Sequence, residues 1–133
     1  FTLETSVATD DSILRADVLI CDCSGIALEY AFGTERPVLF LDVPVKIKNE
    51  NYIKENIESL ELSLRSKIGL IVSPEYLDSI PQSVTSLIAD KEKYKKKLAR
   101  LRNKHVFAFG KSSKVGAQHI LDIIVDEKKA SVY

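Results

Sequence analysis

The chain has 133 residues, 19 acidic and 19 basic side chains besides two histidines, and a formal net charge of zero. No whole-chain field draws it to nucleic acid, which is excluded as a partner on that ground. Apolar content of 45% with 29% charged residues describes a folded domain rather than a disordered chain, and no apolar run reaches the roughly 20 residues of a membrane-spanning helix.

In chain order, residues 1–5 alternate as a strand, and Asp10, Asp11 and Ser12 start a short helix that ends at Arg15. Residues 17–21 form an apolar run without alternation, the pattern of a strand buried on both faces. Asp22-Cys23-Ser24-Gly25 breaks that run with turn-forming residues. Residues 26–32 have helical spacing, Gly33 is placed to close the helix, and residues 37–41 start the next buried strand. Residues 42–49 read as a loop containing Pro44, Lys46 and Lys48, followed by a helix over 51–64 with Ile53, Ile57, Leu60 and Leu64 inward. A buried strand over 67–72 holds Gly69. Ser73 and Pro74 make a strong helix start, Pro81 ends or restarts that segment, and residues 82–89 are helical.

Residues 90–104 form a highly charged helix with Tyr94, Leu98 and Leu101 turned inward and the lysines of 91–97 in solvent. The Gly110-Lys111-Ser112-Ser113 segment has the ending of a P-loop, but position 105 is His where the motif needs Gly, and that reading fails. Ser112 or Ser113 instead caps a last helix over 114–125, whose Val115, Ile120, Ile123 and Ile124 are expected to pack on the sheet. The alternation of strands and helices predicts an α/β class: a Rossmann-like parallel sheet flanked by helices.

The chemically suggestive place is the turn between the strand at 17–21 and the helix at 26–32. A strand that feeds a helix through a small polar turn leaves amide N–H groups of residues 24–26 free at the strand's carboxyl end, where α/β sheets bind phosphate. The plainer alternative is a βαβ unit whose turn is merely capped by Asp22 or Ser24. Cys21 and Cys23 are too close in sequence for an easy disulfide and have no nearby His, so free thiols of a cytoplasmic protein are the simplest account. His105 and His119 have neither metal spacing nor a carboxylate partner in sequence. No metal, no cofactor and no catalytic residue is therefore assigned.

Residues 16–40 carry a resemblance. Ala16-Asp17-Val18-Leu19-Ile20-Cys21-Asp22-Cys23-Ser24-Gly25, then Glu29-Tyr30, then Arg36-Pro37-Val38-Leu39-Phe40 resembles the C-terminal half of the CDP-glycerol glycerophosphotransferases, the teichoic-acid-type polymerases and primases. Cys21 stands where that family has Thr or Ser, and Gly25 replaces a second Ser while keeping the backbone N–H. Weaker echoes are the turn at 9–13 and the Gly110-Lys111-Ser112-Ser113 turn.

The resemblance implies the nucleotide-binding half of a two-domain GT-B enzyme, with residues 1–133 as a single α/β domain from a longer chain. The absence of Met and the mid-fold look of the first residues agree with an excised piece. It implies a nucleotide-activated, CDP-glycerol-like donor, a polymer or lipid-linked acceptor, and the N-terminal half of the same enzyme as partner. The work would be cell-surface polymer synthesis, in the cytoplasm or peripherally at the inner face of a bacterial membrane, where the basic helix can meet anionic lipid. Asp22, Ser24, Gly25, Ile26 and Glu29 would line the nucleotide and phosphate site, Glu29 accepting from ribose hydroxyls, with Ser112 and Ser113 facing the same cleft. Two alternatives remain open: a UDP-sugar GT-B glycosyltransferase or epimerase domain, and a non-enzymatic flavodoxin-like binding module.

Overall fold

A computed structural model describes residues 1–5, 11–44 and 58–130. The expected loop over 42–49 and helix over 51–64 lie partly outside these residues. The chain divides into two compact units, Phe1–Ala99 and Arg100–Tyr133.

In the first unit, helix α1 (Asp11–Arg15) precedes strand β1 (Leu19–Cys21), helix α2 (Ile26–Thr34) and strand β2 (Val38–Leu41). Helix α3 (Leu60–Ile68) leads into strand β3 (Gly69–Val72), followed by a 3-10 turn (Pro74–Ser79), helix α4 (Ile80–Ala89) and helix α5 (Lys91–His105), which runs on into the second unit. The strands form a three-stranded parallel sheet in the order β1-β2-β3. Leu19 to Cys21 pair with Val38 to Phe40, and Val38 to Leu41 pair with Gly69 to Val72. The expected α/β class with helices flanking a parallel sheet therefore holds.

The sheet's two faces follow from alternation along β2. Leu39 is fully buried and clusters with Val72 and Leu87, with Val18, Ile80, Val84 and Tyr94 packed around them. Helix α4 thus covers the Leu39 face. Phe40 points the other way, and the Arg65 guanidinium of α3 lies 5.2 Å from its ring centroid. Strands added in one direction require their crossover helices on one face when the connections are right-handed; α2 contacts both β1 and β2 as well as α3, as that rule demands.

Several residues of the stretch 16–40 serve this architecture. Tyr30, 1% exposed, donates its hydroxyl to the Ala16 carbonyl at 2.7 Å, and Arg36 Nη1 donates to the carbonyls of Ala16 at 2.6 Å and Leu14 at 2.8 Å. Together they tie the end of α1 to the start of β2.

Four expectations about these elements need correction. Residues 1–5 are exposed and form no strand, since no ladder partner pairs them among the described residues; Ser12 donates to the Glu4 carboxylate instead. β1 and β3 are not buried on both faces: Ile20, Leu70 and Ile71 are 46%, 37% and 42% exposed, because both strands are edges among the described residues. Helix α2 is closed not by Gly33 but by Glu35, which takes the left-handed conformation at φ 58° and donates its N–H to Ala31 O. Lys67 and Ile68 belong to α3 rather than to the strand, and Ser59 caps that helix by accepting from Leu62 N–H. Pro81 sits in the first turn of α4, where its missing N–H costs nothing; of the two outcomes expected of it, the restart is the one seen. Ser73 caps the 3-10 turn ahead of Pro74 as expected, accepting from Glu75 N–H.

In the second unit, helix α6 (Ser112–Ala130) follows a turn in which Ala108 and Gly110 have φ of 50° and 73°. Glycine suits the second of these because L side chains rarely adopt it. Arg102 stacks over Phe109 at 4.2 Å. Within this unit Ile120, Leu121, Ile123, Ile124 and Val125 are exposed.

Candidate functional site

The β1–α2 turn lies at the carboxyl end of β1. Its backbone is tightly wound: Ser24 N–H donates to Asp22 O at 3.1 Å, Ala27 N–H to Ser24 O at 3.2 Å, and Leu28 N–H to Gly25 O at 3.0 Å. Gly25 is the N-cap of α2 and makes no side-chain cap bond. Neither Asp22 nor Ser24 caps the helix, which corrects that part of the sequence reading; Asp22 shapes the turn through its carbonyl. The N–H groups of Gly25 and Ile26 have no backbone acceptor among the described residues. They are the open end of a nine-residue helix, where orphan donors and the helix dipole favour an anion.

The structure thus brings Asp22, Ser24, Gly25 and Ile26 together in one turn, with Glu29 in the first turn of the helix. Glu29 is exposed. Its charge stabilises the helix start and opposes a second anion placed directly beside it. Ser112 and Ser113 lie in the second unit at the start of α6, where Ser112 does not accept a capping bond: its hydroxyl donates toward Phe107 O and Ala108 O, both at 3.0 Å.

Sequence reasoning missed Arg65. It is 7% exposed, its Nη1 lies 3.0 Å from Asp42 Oδ1 just beyond β2, and its guanidinium covers Phe40, the register partner of Cys21. Its Nε and Nη2 are buried without a hydrogen-bond partner among the described residues. One signal was legible: Arg65 follows Leu64 and stands three residues before Ile68, so on a helix it must border the core face.

The two thiols report the same neighbourhood. Burial, reinforced by the Asp22 charge, pushes Cys21 up to about 11, with Arg65 acting in the opposite sense. Cys23 is also raised, by burial first; Arg65 lowers it, while Glu61, Asp22 and Asp42 raise it. Both cysteines are free. At pH 8 the Cys21 thiolate fraction is on the order of one in a thousand, so it is a poor nucleophile. Iodoacetamide at pH 8 is therefore expected to label Cys21 far more slowly in the folded chain than in urea, as followed by peptide mass spectrometry. Equal rates in the two states would contradict this burial.

A polar cleft of about 240 Å³ opens at the opposite end of the strands from this turn, lined by Asp17, Thr34, Glu35, Arg36, Lys91 and Lys95 among others. Its acidic and basic side chains offset one another, and Arg36 is already engaged by two carbonyls, so it offers no concentrated field to a charged ligand.

The lysines at 91, 93, 95, 96 and 97 are exposed, as expected of a solvated helix face; Lys97 also lies 5.6 Å from the Tyr94 ring centroid. No group of three or more His, Cys, Asp or Glu side chains placed to hold a metal ion occurs among the described residues. None of their helices is long and apolar enough to cross a membrane. No protein-family model, curated protein or solved structure matches the chain.

Proposed function

We propose that the chain is the nucleotide-binding half of a glycerophosphate or polyol-phosphate transferase of the GT-B type, using a CDP-glycerol-like donor in the synthesis of a teichoic-acid or capsule-like polymer. The observation that carries this reading is the pair of unengaged amides, Gly25 and Ile26, at the carboxyl end of a parallel strand. It supports a diphosphate seated on the start of α2.

In that reaction the acceptor hydroxyl attacks the glycerol-bearing phosphorus, the phosphoanhydride bond breaks, and negative charge grows on the departing CMP. Fixed N–H donors and the helix dipole stabilise that charge without reorganising. Glu29, exposed one turn along, would accept from ribose hydroxyls. The cleft of such an enzyme lies between two halves, so this chain alone is expected to bind donor without turning it over. The exposed lysines of α5 would favour an anionic membrane surface beside a lipid-linked acceptor.

The test is a parallel titration of the 133-residue chain with CDP-glycerol, CMP and UDP, followed by amide chemical shifts. Cytidine nucleotides are expected to bind in the millimolar range and to outcompete UDP. Preference for UDP would replace the reading with a sugar-nucleotide transferase, and absence of binding by all three would remove it.

A further inference from the structure

Among the described residues, the turn after β1 is bordered by more negative than positive charge: Asp22, Asp42 and Glu61 act on Cys23 in one sense and Arg65 in the other. A helix start in that setting is a weak anion site unless a cation can be committed to it. Arg65 is held in an unusual state for a structural residue. A buried guanidinium normally has its donors engaged, because an orphaned donor has lost its water without gaining a partner. Here one edge is taken by Asp42, whose side chain is half exposed, while Nε and Nη2 have nothing to donate to among the described residues. The Phe40 ring beneath supplies only its π face.

We propose that Arg65 is the anion-gripping residue of the β1–α2 site, and that Asp42 is a placeholder that an incoming phosphate displaces. The geometry carries it: a buried, incompletely paired guanidinium lies over the register partner of Cys21, beside a turn whose Gly25 and Ile26 N–H groups are open. A phosphate arriving at the turn draws the guanidinium away from Asp42. Turning the guanidinium then presents the orphaned Nε–Nη2 edge, so that one bidentate pair replaces one single contact. No covalent bond changes. The ligand class is a phosphate or diphosphate group. Taking that group to be part of a nucleotide rests on the functional reading above.

The experiment titrates inorganic pyrophosphate into the 133-residue chain and its Arg65→Lys and Asp42→Asn variants. Binding is read by calorimetry and by the Arg65 Nε–Hε resonance of the unmodified chain. Each variant is checked for a native amide spectrum. Arg65→Lys keeps the charge but loses the fork, and is expected to weaken pyrophosphate roughly tenfold. Asp42→Asn removes the competitor and is expected to tighten binding several-fold. In the unmodified chain the Nε–Hε resonance should move with saturation, a readout that stands even if a variant fails to fold.

An unmoved Nε–Hε resonance under saturating pyrophosphate overturns the proposal, as does unchanged affinity in a folded Arg65→Lys chain or no pyrophosphate binding at all. The two readings fail separately. Pyrophosphate binding that depends on Arg65 without any gain from cytidine would keep the anion site and dismiss the transferase. Cytidine-selective binding that ignores Arg65 would do the reverse.

Discussion

Gly69→Ala is expected to unfold the protein. Gly69 opens β3 directly opposite Val38 of the central strand. A Cβ built there would stand 1.6 Å from the Val38 carbonyl oxygen and 2.6 Å from its carbon. The backbone at Gly69 is extended, so the obstacle is space and not conformation. The neighbour is main chain in the middle of a sheet and cannot turn aside as a flexible side chain would. Relief requires β3 to move off β2, with loss of the register that carries Leu39 opposite Leu70 and Leu41 opposite Val72. The cost should exceed the ~1–3 kcal/mol usual for an overpacked core. Circular dichroism melts of the purified variant decide it: no cooperative transition, or a large fall in Tm, is expected, and a melt like that of the parent would show that the strands are not in this register.

Phe40→Ala is expected to cost about 3–5 kcal/mol, the range for removing a buried aromatic ring. Phe40 is 1% exposed at the centre of the middle strand, and its loss leaves a hole bordered by the Arg65 guanidinium. Two effects then add: the missing apolar volume, and a buried cation deprived of the ring that covered it. Phe40→Leu separates them, since it refills much of the volume without restoring the π face. Urea denaturation should show the leucine variant less than about 1.5–2 kcal/mol below the parent. An alanine variant within 1 kcal/mol of the parent, on the scale where core truncations cost about 2–5, would mean that the sheet face is not packed as described.

The β1–α2–β2 unit was legible because each local cue agreed with the others. A short apolar run, four small or polar residues, helical spacing and a second apolar run leave little room for another arrangement. Residues of this stretch do two different jobs. Tyr30 and Arg36 converge on the Ala16 carbonyl and hold the unit together, whereas Gly25 and Ile26 leave their amides open. Sequence alone cannot separate these roles, since both depend on where a backbone carbonyl lies in space.

The misses have the same origin. Apolar runs in β1 and β3 suggested burial on both faces, but strand composition does not reveal which strand has a neighbour on each side, and among the described residues Ile20 and Ile71 stand at edges. Glycine is the usual left-handed closing residue, yet α2 runs past Gly33 and closes at Glu35. Arg65 was passed over because a charged residue beside an amphipathic helix face is ordinarily solvated. Only its position over Phe40 and against Asp42 shows otherwise.

The account's central claim is that phosphate binds where β1 meets α2. It is tested most directly by mapping amide and arginine Nε shifts of the chain during a CDP-glycerol titration. The largest changes are predicted at Gly25, Ile26 and the Arg65 Nε–Hε group. Changes concentrated instead at Thr34, Arg36, Lys91 and Lys95, with the β1–α2 turn silent, would place the ligand at the other end of the strands and contradict the account.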